Sequence, residues 1–175
     1  MSNKIITVFG SAFVQENNAY YNDIFQVGKL LAQNGYDVCS GGYAGIMEAV
    51  SKGAKSVNGK TIGVTVSTWT SKPNQYIDED VKMPNLMERI TELITLADAY
   101  VIFKGGTGTL VELSVALELM NKKAMPEKPI ILFGSFWSNL IEILKQDSDK
   151  LAELINRNIR FAESPVDVVN HLNKY

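Results

Sequence analysis

Cysteine and histidine are almost absent: the 175-residue chain has one of each, Cys39 and His171. A lone cysteine excludes an internal disulfide, and the two together cannot build the Cys and His constellations that hold zinc within one chain. His171 lies near the carboxyl end, a poor position for the base of a Ser-His or Cys-His hydrolase, and it reads as a structural or surface residue. An excess of charge of either sign is missing too. Seventeen basic and nineteen acidic side chains leave a formal net charge of −2, which gives no overall pull toward nucleic acid or anionic lipid. No apolar run approaches the ~18 residues of a membrane span. The opening Met1–Lys4 leads directly into Ile5-Ile6-Thr7-Val8-Phe9, a first strand and not a signal peptide. The expectation is a cytoplasmic protein with no nucleic-acid or membrane partner, no metal and no cofactor. Any anion it binds must be held locally.

What is present fits one globular domain spanning residues 1–175, with 46% hydrophobic and 21% charged residues. Short β-branched runs at residues 4–9, 36–39, 61–66, 99–103 and 129–133 alternate with segments of helical periodicity. This alternation predicts an α/β fold, a parallel sheet with helices on both faces. Gly35 should end the helix that closes at Asn34, and Ser164-Pro165-Val166-Asp167 should start the last one. The polar stretch from Ser67 to Asn85, with prolines at 73 and 84 and the acidic cluster Asp78-Glu79-Asp80, breaks the pattern. It reads as a long connection, either a lid or pocket wall or a plain surface excursion.

Two glycine-rich turns each follow a strand and open a helix: Ser40-Gly41-Gly42-Tyr43-Ala44-Gly45 and Lys104-Gly105-Gly106-Thr107-Gly108-Thr109. At the carboxyl edge of a parallel sheet, helix N-termini present unpaired N–H groups and a positive dipole end, and glycine lets a phosphate come close to the backbone. Either loop alone could be a tight turn that needs positive φ angles; the two together point to one ligand site. Two other signals fail. Gly59-Lys60-Thr61 resembles the end of a P-loop, but Ala54 stands where its first glycine belongs, and a strand follows. Gly10-Ser11-Ala12-Phe13 lacks the dinucleotide spacing after the first strand.

Two charged residues have double readings. Thr109-Leu110-Val111-Glu112 has the spacing of a capping box, yet Glu112 would also stand on the first helical turn beside the phosphate site, within reach of a nucleotide sugar. The helix Asn85–Leu96 should bury Leu86, Ile90, Leu93 and Ala97, which leaves Arg89 at the border of that face. There it could pair with Glu92 on the surface or overlook the glycine loop from the helix start. Lys104 could add charge at the strand end or point to solvent.

The run Phe103-Lys104-Gly105-Gly106-Thr107-Gly108-Thr109-Leu110-Val111-Glu112 resembles the P-G-G-x-G-T-x-x-E signature of the Lonely Guy family of phosphoribohydrolases. Val8-Phe9-Gly10-Ser11, Gly41 to Val50, Ile62-Gly63-Val64 and Pro129 to Gly134 recur in that family's order, so the likeness covers nearly the whole chain. It implies a modified Rossmann fold and a homodimer. It also implies hydrolysis of the N-glycosidic bond of nucleoside 5′-monophosphates to free base and ribose 5-phosphate. The family's catalytic arginine and glutamate fall on Arg89 and Glu112, and substrate contacts are expected from Gly105, Gly106, Thr107, Gly108 and Thr109, with Ser11, Gly41 and Gly42. Three positions depart from the pattern. Ile90 follows the arginine in place of lysine, Lys104 replaces the proline of the glycine motif, and Glu48 replaces a frequent glycine. Molybdenum-cofactor carriers share this fold and bind an anionic pterin compound without hydrolysing it. Binding of a nucleotide or phosphorylated cofactor without turnover is therefore the alternative expectation.

The helix predicted over Thr109–Lys122 is apolar around most of its circumference. Packing on the sheet would leave a second apolar face for a partner chain or for neighbouring helices of the same domain.

Overall fold

The computed structural model describes residues 3–175; Met1 and Ser2, the start of the opening segment, lie outside it. Seven strands, β1 (Ile5–Phe9), β2 (Asp37–Ser40), β3 (Thr61–Val66), β4 (Glu79–Met83), β5 (Ala99–Ile102), β6 (Ile130–Phe133) and β7 (Ile159–Ala162), form one sheet. Seven helices connect or follow them: α1 (Ala19–Gln33), α2 (Ile46–Lys55), α3 (Leu86–Thr95), α4 (Thr107–Asn121), α5 (Ser138–Leu144), α6 (Asp149–Asn158) and α7 (Pro165–Leu172). The order is β4-β3-β2-β1-β5-β6-β7 and every pairing is parallel. This is a single-domain α/β architecture with the parallel sheet that the alternation predicted, and it is Rossmann-like, as the resemblance implied.

Side chains alternate across the sheet with the two-residue period of a strand, which makes two cores. Tyr100 and Ile102 join a core with Leu93 of α3, Leu113 of α4 and Ile155 of α6. Val101 and Phe103 face the other way, onto Ile24 of α1, Val50 of α2 and Val168 of α7. On this second face α1 and α2 touch backbone to backbone: a Cβ at Gly28 would run into the Val50 carbonyl, and one at Gly53 into that of Phe25. Cys39 is fully buried, and burial pushes its thiol up to about 12, so it is a packing residue and not a nucleophile.

The helix termini follow the expected chemistry. Gly35 takes φ +81° after the α1 cap, and the Ser164 hydroxyl accepts from the Asp167 N–H with Pro165 in the first turn of α7. Two expectations need correction. The stretch Ser67–Asn85 is not wholly a connection, because it contains β4. Residues 159–162, which showed no strand signal, form β7. Both are the outer strands of the sheet, where one side faces solvent and charges are tolerated, so β4 includes Glu79 and Asp80, two of the three acidic residues that had argued against it.

Strands β2–β4 lie to one side of β1 and β5–β7 to the other. The order in which strands are added across the sheet therefore reverses between β1 and β5, and the loops leaving their carboxyl ends diverge around a crevice. The Ser11 N–H donates to the Lys104 carbonyl at 3.2 Å and so joins the two loops at the crevice floor.

Candidate functional site

Helix α4 begins two residues earlier than predicted, at Thr107, with Gly106 as its N-cap and no side chain capping it. The capping-box reading of Thr109 and Glu112 is thereby corrected. Both are already inside the helix, and Glu112 makes no hydrogen bond to the helix start. The N–H groups of Gly106, Thr107, Gly108 and Thr109 find no protein acceptor among the described residues. They form an open, partially positive cradle of the kind that binds anions. Gly105 sits behind this turn, where a Cβ would collide with the Thr109 side chain.

Arg89 enters from α3. Of its two readings, the surface pair with Glu92 does not form; instead the side chain runs beneath the ends of β2 and β3, and the residue is only 7% exposed. Its Nε donates to the Val64 carbonyl at 2.7 Å and its Nη2 to that of Gly41 at 3.2 Å. The guanidinium carbon lies 5.5 Å from the Tyr43 ring centre and 5.7 Å from that of Trp69. No salt bridge among the described residues involves Arg89 or Glu112. Nη1 has no hydrogen-bond partner among the described residues. Leu86, expected on the buried face of this helix, is 46% exposed; Ile90, Leu93 and Ala97 are buried as expected.

Arg89, Glu112, Ser11 and the turn Gly106–Thr109 line one cavity of about 580 Å³. Of the remaining predicted contacts, Gly41 and Gly42 stand behind its wall and do not line it. The Gly41 carbonyl fixes Arg89, and Gly42, at φ +77°, offers its carbonyl to Asn74. Lys104 is turned away, its Nζ 5.1 Å from the centre of the Tyr20 ring. A smaller cavity of about 260 Å³ lies at the opposite edge of the sheet, near Lys4, Asp98 and Glu127.

The two charged groups shape each other. Glu112 is buried, and burial raises its carboxyl to about 7 although the nearby Arg89 charge works in the other direction. Burial likewise pulls Arg89 below the usual guanidinium value, opposed by Glu112 and Tyr43. The cavity thus holds a lasting positive charge beside a carboxyl that is about half protonated near neutrality. Among the described residues, no three His, Cys, Asp or Glu side chains gather as a metal site requires, and no helix is long and apolar enough to cross a membrane.

Sequence reasoning missed the aromatic wall. Tyr43 is held by its hydroxyl, which accepts the Val66 N–H at 3.0 Å, and its ring meets Trp69 at 5.6 Å between centres. Trp69 and Ser71 come from the Ser67–Asn85 segment, so part of that segment is a pocket wall, one of its two predicted roles. Phe13, 91% exposed on the β1–α1 loop, also borders the cavity. A large aromatic inside a polar, proline-bearing stretch was the available signal.

The model of the SLOG cluster4 family matches residues 3–160. A pyrimidine/purine nucleotide 5′-monophosphate nucleosidase of Escherichia coli is 28% identical over 141 residues, which cover 74% of this chain and 31% of that protein. A cytokinin riboside 5′-monophosphate phosphoribohydrolase of Arabidopsis thaliana is 25% identical over 181 residues, 98% of this chain and 82% of the relative. Among solved structures, the molybdenum cofactor binding protein of Rippkaea orientalis superimposes with a TM-score of 0.80 at 27% identity, covering 99% of this chain and 98% of that one.

Proposed function

The chain belongs to the SLOG cluster4 family, and from that membership and the cavity we propose that it binds a phosphate monoester of the nucleotide or phosphorylated-cofactor class. One observation carries this reading: among the described residues Arg89 is a buried cation with no carboxylate salt bridge and no partner for Nη1, in the same cavity as the unpaired N–H groups at the start of α4. Its carbonyl and ring contacts offset only part of the cost of burying a charge, roughly several kcal/mol, and an arriving counter-charge would offset the rest. A phosphate supplies that charge and accepts from both sets of donors. The cavity is about 580 Å³, within the usual range for a small-molecule site. The nucleosidase and phosphoribohydrolase relatives and the molybdenum cofactor binding protein are consistent with such a ligand.

A second reading adds chemistry. Glu112, with its carboxyl near 7, can give or accept a proton beside the bound sugar. Water would then add to the anomeric carbon while the C–N bond breaks, and the base would leave with a proton. Its product would be ribose 5-phosphate. Calorimetric titration of the purified protein with a panel of nucleoside monophosphates, with ribose 5-phosphate assayed in parallel, separates the cases. Saturable binding without product is the result expected of the binding reading. Product formation establishes the second, and no binding of any member overturns both.

The working unit is proposed to be a homodimer. Leu110 and Val111 on α4 are 37% and 40% exposed, and Leu86 and Met87 on α3 are 46% and 62% exposed, an apolar surface that a second copy would cover. Sedimentation equilibrium is expected to return twice the chain mass, and Leu110→Glu to shift it toward the monomer. A monomeric mass for the wild type would remove this part.

A further inference from the structure

The cavity has an end that the phosphate reading leaves unused. Residues 68–73 form a strap tied down on both sides. Before it, the Ser67 N–H donates to the Met83 carbonyl at 2.8 Å. After it, Asn74 donates to Gly42 O through its N–H at 2.8 Å and to Tyr43 O through its side-chain amide at 2.8 Å. Between these anchors the strap makes one backbone bond, from the Trp69 N–H to Val66 O at 3.2 Å. The strap thus holds Trp69 at the cavity wall, against Tyr43, whose own hydroxyl is fixed to β3.

Trp69 nevertheless stays 44% exposed, a large open area for an indole pinned at both ends of its loop. Packing does not account for it, because Trp69 belongs to neither hydrophobic core. Its backing by Tyr43 and Arg89 stiffens one side and leaves the rest of the ring open. A stiff, half-exposed aromatic surface next to an anion cradle matches a ligand with a flat ring system at one end and a phosphate at the other.

We propose that Trp69 is the specificity-determining residue of this site, stacking on a flat heteroaromatic ring of the ligand and so favouring ring-bearing phosphates over bare sugar phosphates. This rests on the phosphate-site reading given above. Arg89 and the start of α4 hold the phosphate of either kind of ligand; Trp69 tells them apart.

The second tryptophan makes the test direct. Trp137 is buried, with its ring N–H donating to Phe103 O at 3.0 Å, so its emission is a constant background. AMP and ribose 5-phosphate are titrated into the full chain, with affinity read by calorimetry and Trp69 by fluorescence. The expected result is that AMP quenches emission and binds on the order of tenfold more tightly than ribose 5-phosphate. In Trp69→Ala the preference for AMP over ribose 5-phosphate should fall to within about twofold, and Trp69→Phe should restore most of it. An exposed position makes loss of folding an unimportant outcome, and the melting temperature of each variant controls for it. Equal affinities in the wild type, or a preference that survives Trp69→Ala, overturn the proposal while leaving the phosphate site standing. Failure of both ligands to bind the wild type overturns the phosphate site and this inference with it.

Discussion

With Arg89 replaced by methionine, the protein is expected to fold normally and to bind AMP at least about 100-fold more weakly, as measured by calorimetry. The magnitude follows from where the charge sits. An exposed ion pair is worth ~1 kcal/mol or less, but the guanidinium of a residue only 7% exposed meets a phosphate with little water between them. Its two existing bonds, to Val64 O and Gly41 O, aim the rest of the group into the cavity. Lysine would keep the charge and lose that aim, so Arg89→Lys should recover only a small part of the affinity. Stability should move little, because losing two bonds to carbonyls is set against relief of an unpaired buried cation. A melting temperature far below that of the wild type, with binding intact in the folded fraction, would count against this account.

Glu112→Gln is expected to separate stability from function. The Glu112 carboxyl is raised from 4.5 to about 7 by burial, so between those pH values the folded protein holds a proton that the unfolded chain has released. The unfolded state binds fewer protons there, and stability must fall as pH rises from about 4.5 to 7, then stay lowered. The full penalty is on the order of 3 kcal/mol, and glutamine does not pay it. At pH 8 the variant should therefore melt roughly 5–10 °C above the wild type, while at pH 4 the two should melt together. Binding carries the same signature. If the protonated carboxyl is the form that tolerates a phosphate nearby, the affinity ratio of variant to wild type should rise from about one at pH 6 toward tenfold at pH 8. Using the ratio cancels the phosphate's own titration. Any base release from AMP should also drop by about 10²-fold or more in the variant. Identical pH profiles for the two proteins would remove Glu112 from the site chemistry.

The buried centre of the fold was readable and its rim was not. The five inner strands follow from β-branched runs because burial on both faces demands them, as in Thr61–Val66, where every residue is buried. The two edge strands were missed for the complementary reason. In Glu79–Met83, one side of the strand answers to water, and its charges disguise it. Within the site, the glycine turn before α4 could be found because a helix start after a strand needs glycine for close approach. Arg89 could be named by resemblance, but its burial and its freedom from Glu92 could not. They depend on β2 and β3 ending beneath α3, a tertiary fact. Trp69 was the least legible, since nothing in a strap of polar residues says which cavity its one large ring will face.

The most direct test of the phosphate site is a calorimetric comparison of AMP with adenosine, which share every atom except the phosphate. The account predicts saturable one-site binding of AMP, displaced by ribose 5-phosphate, with adenosine binding at least about 100-fold more weakly to the wild type and no differently to Arg89→Met. Adenosine binding as tightly as AMP would contradict it.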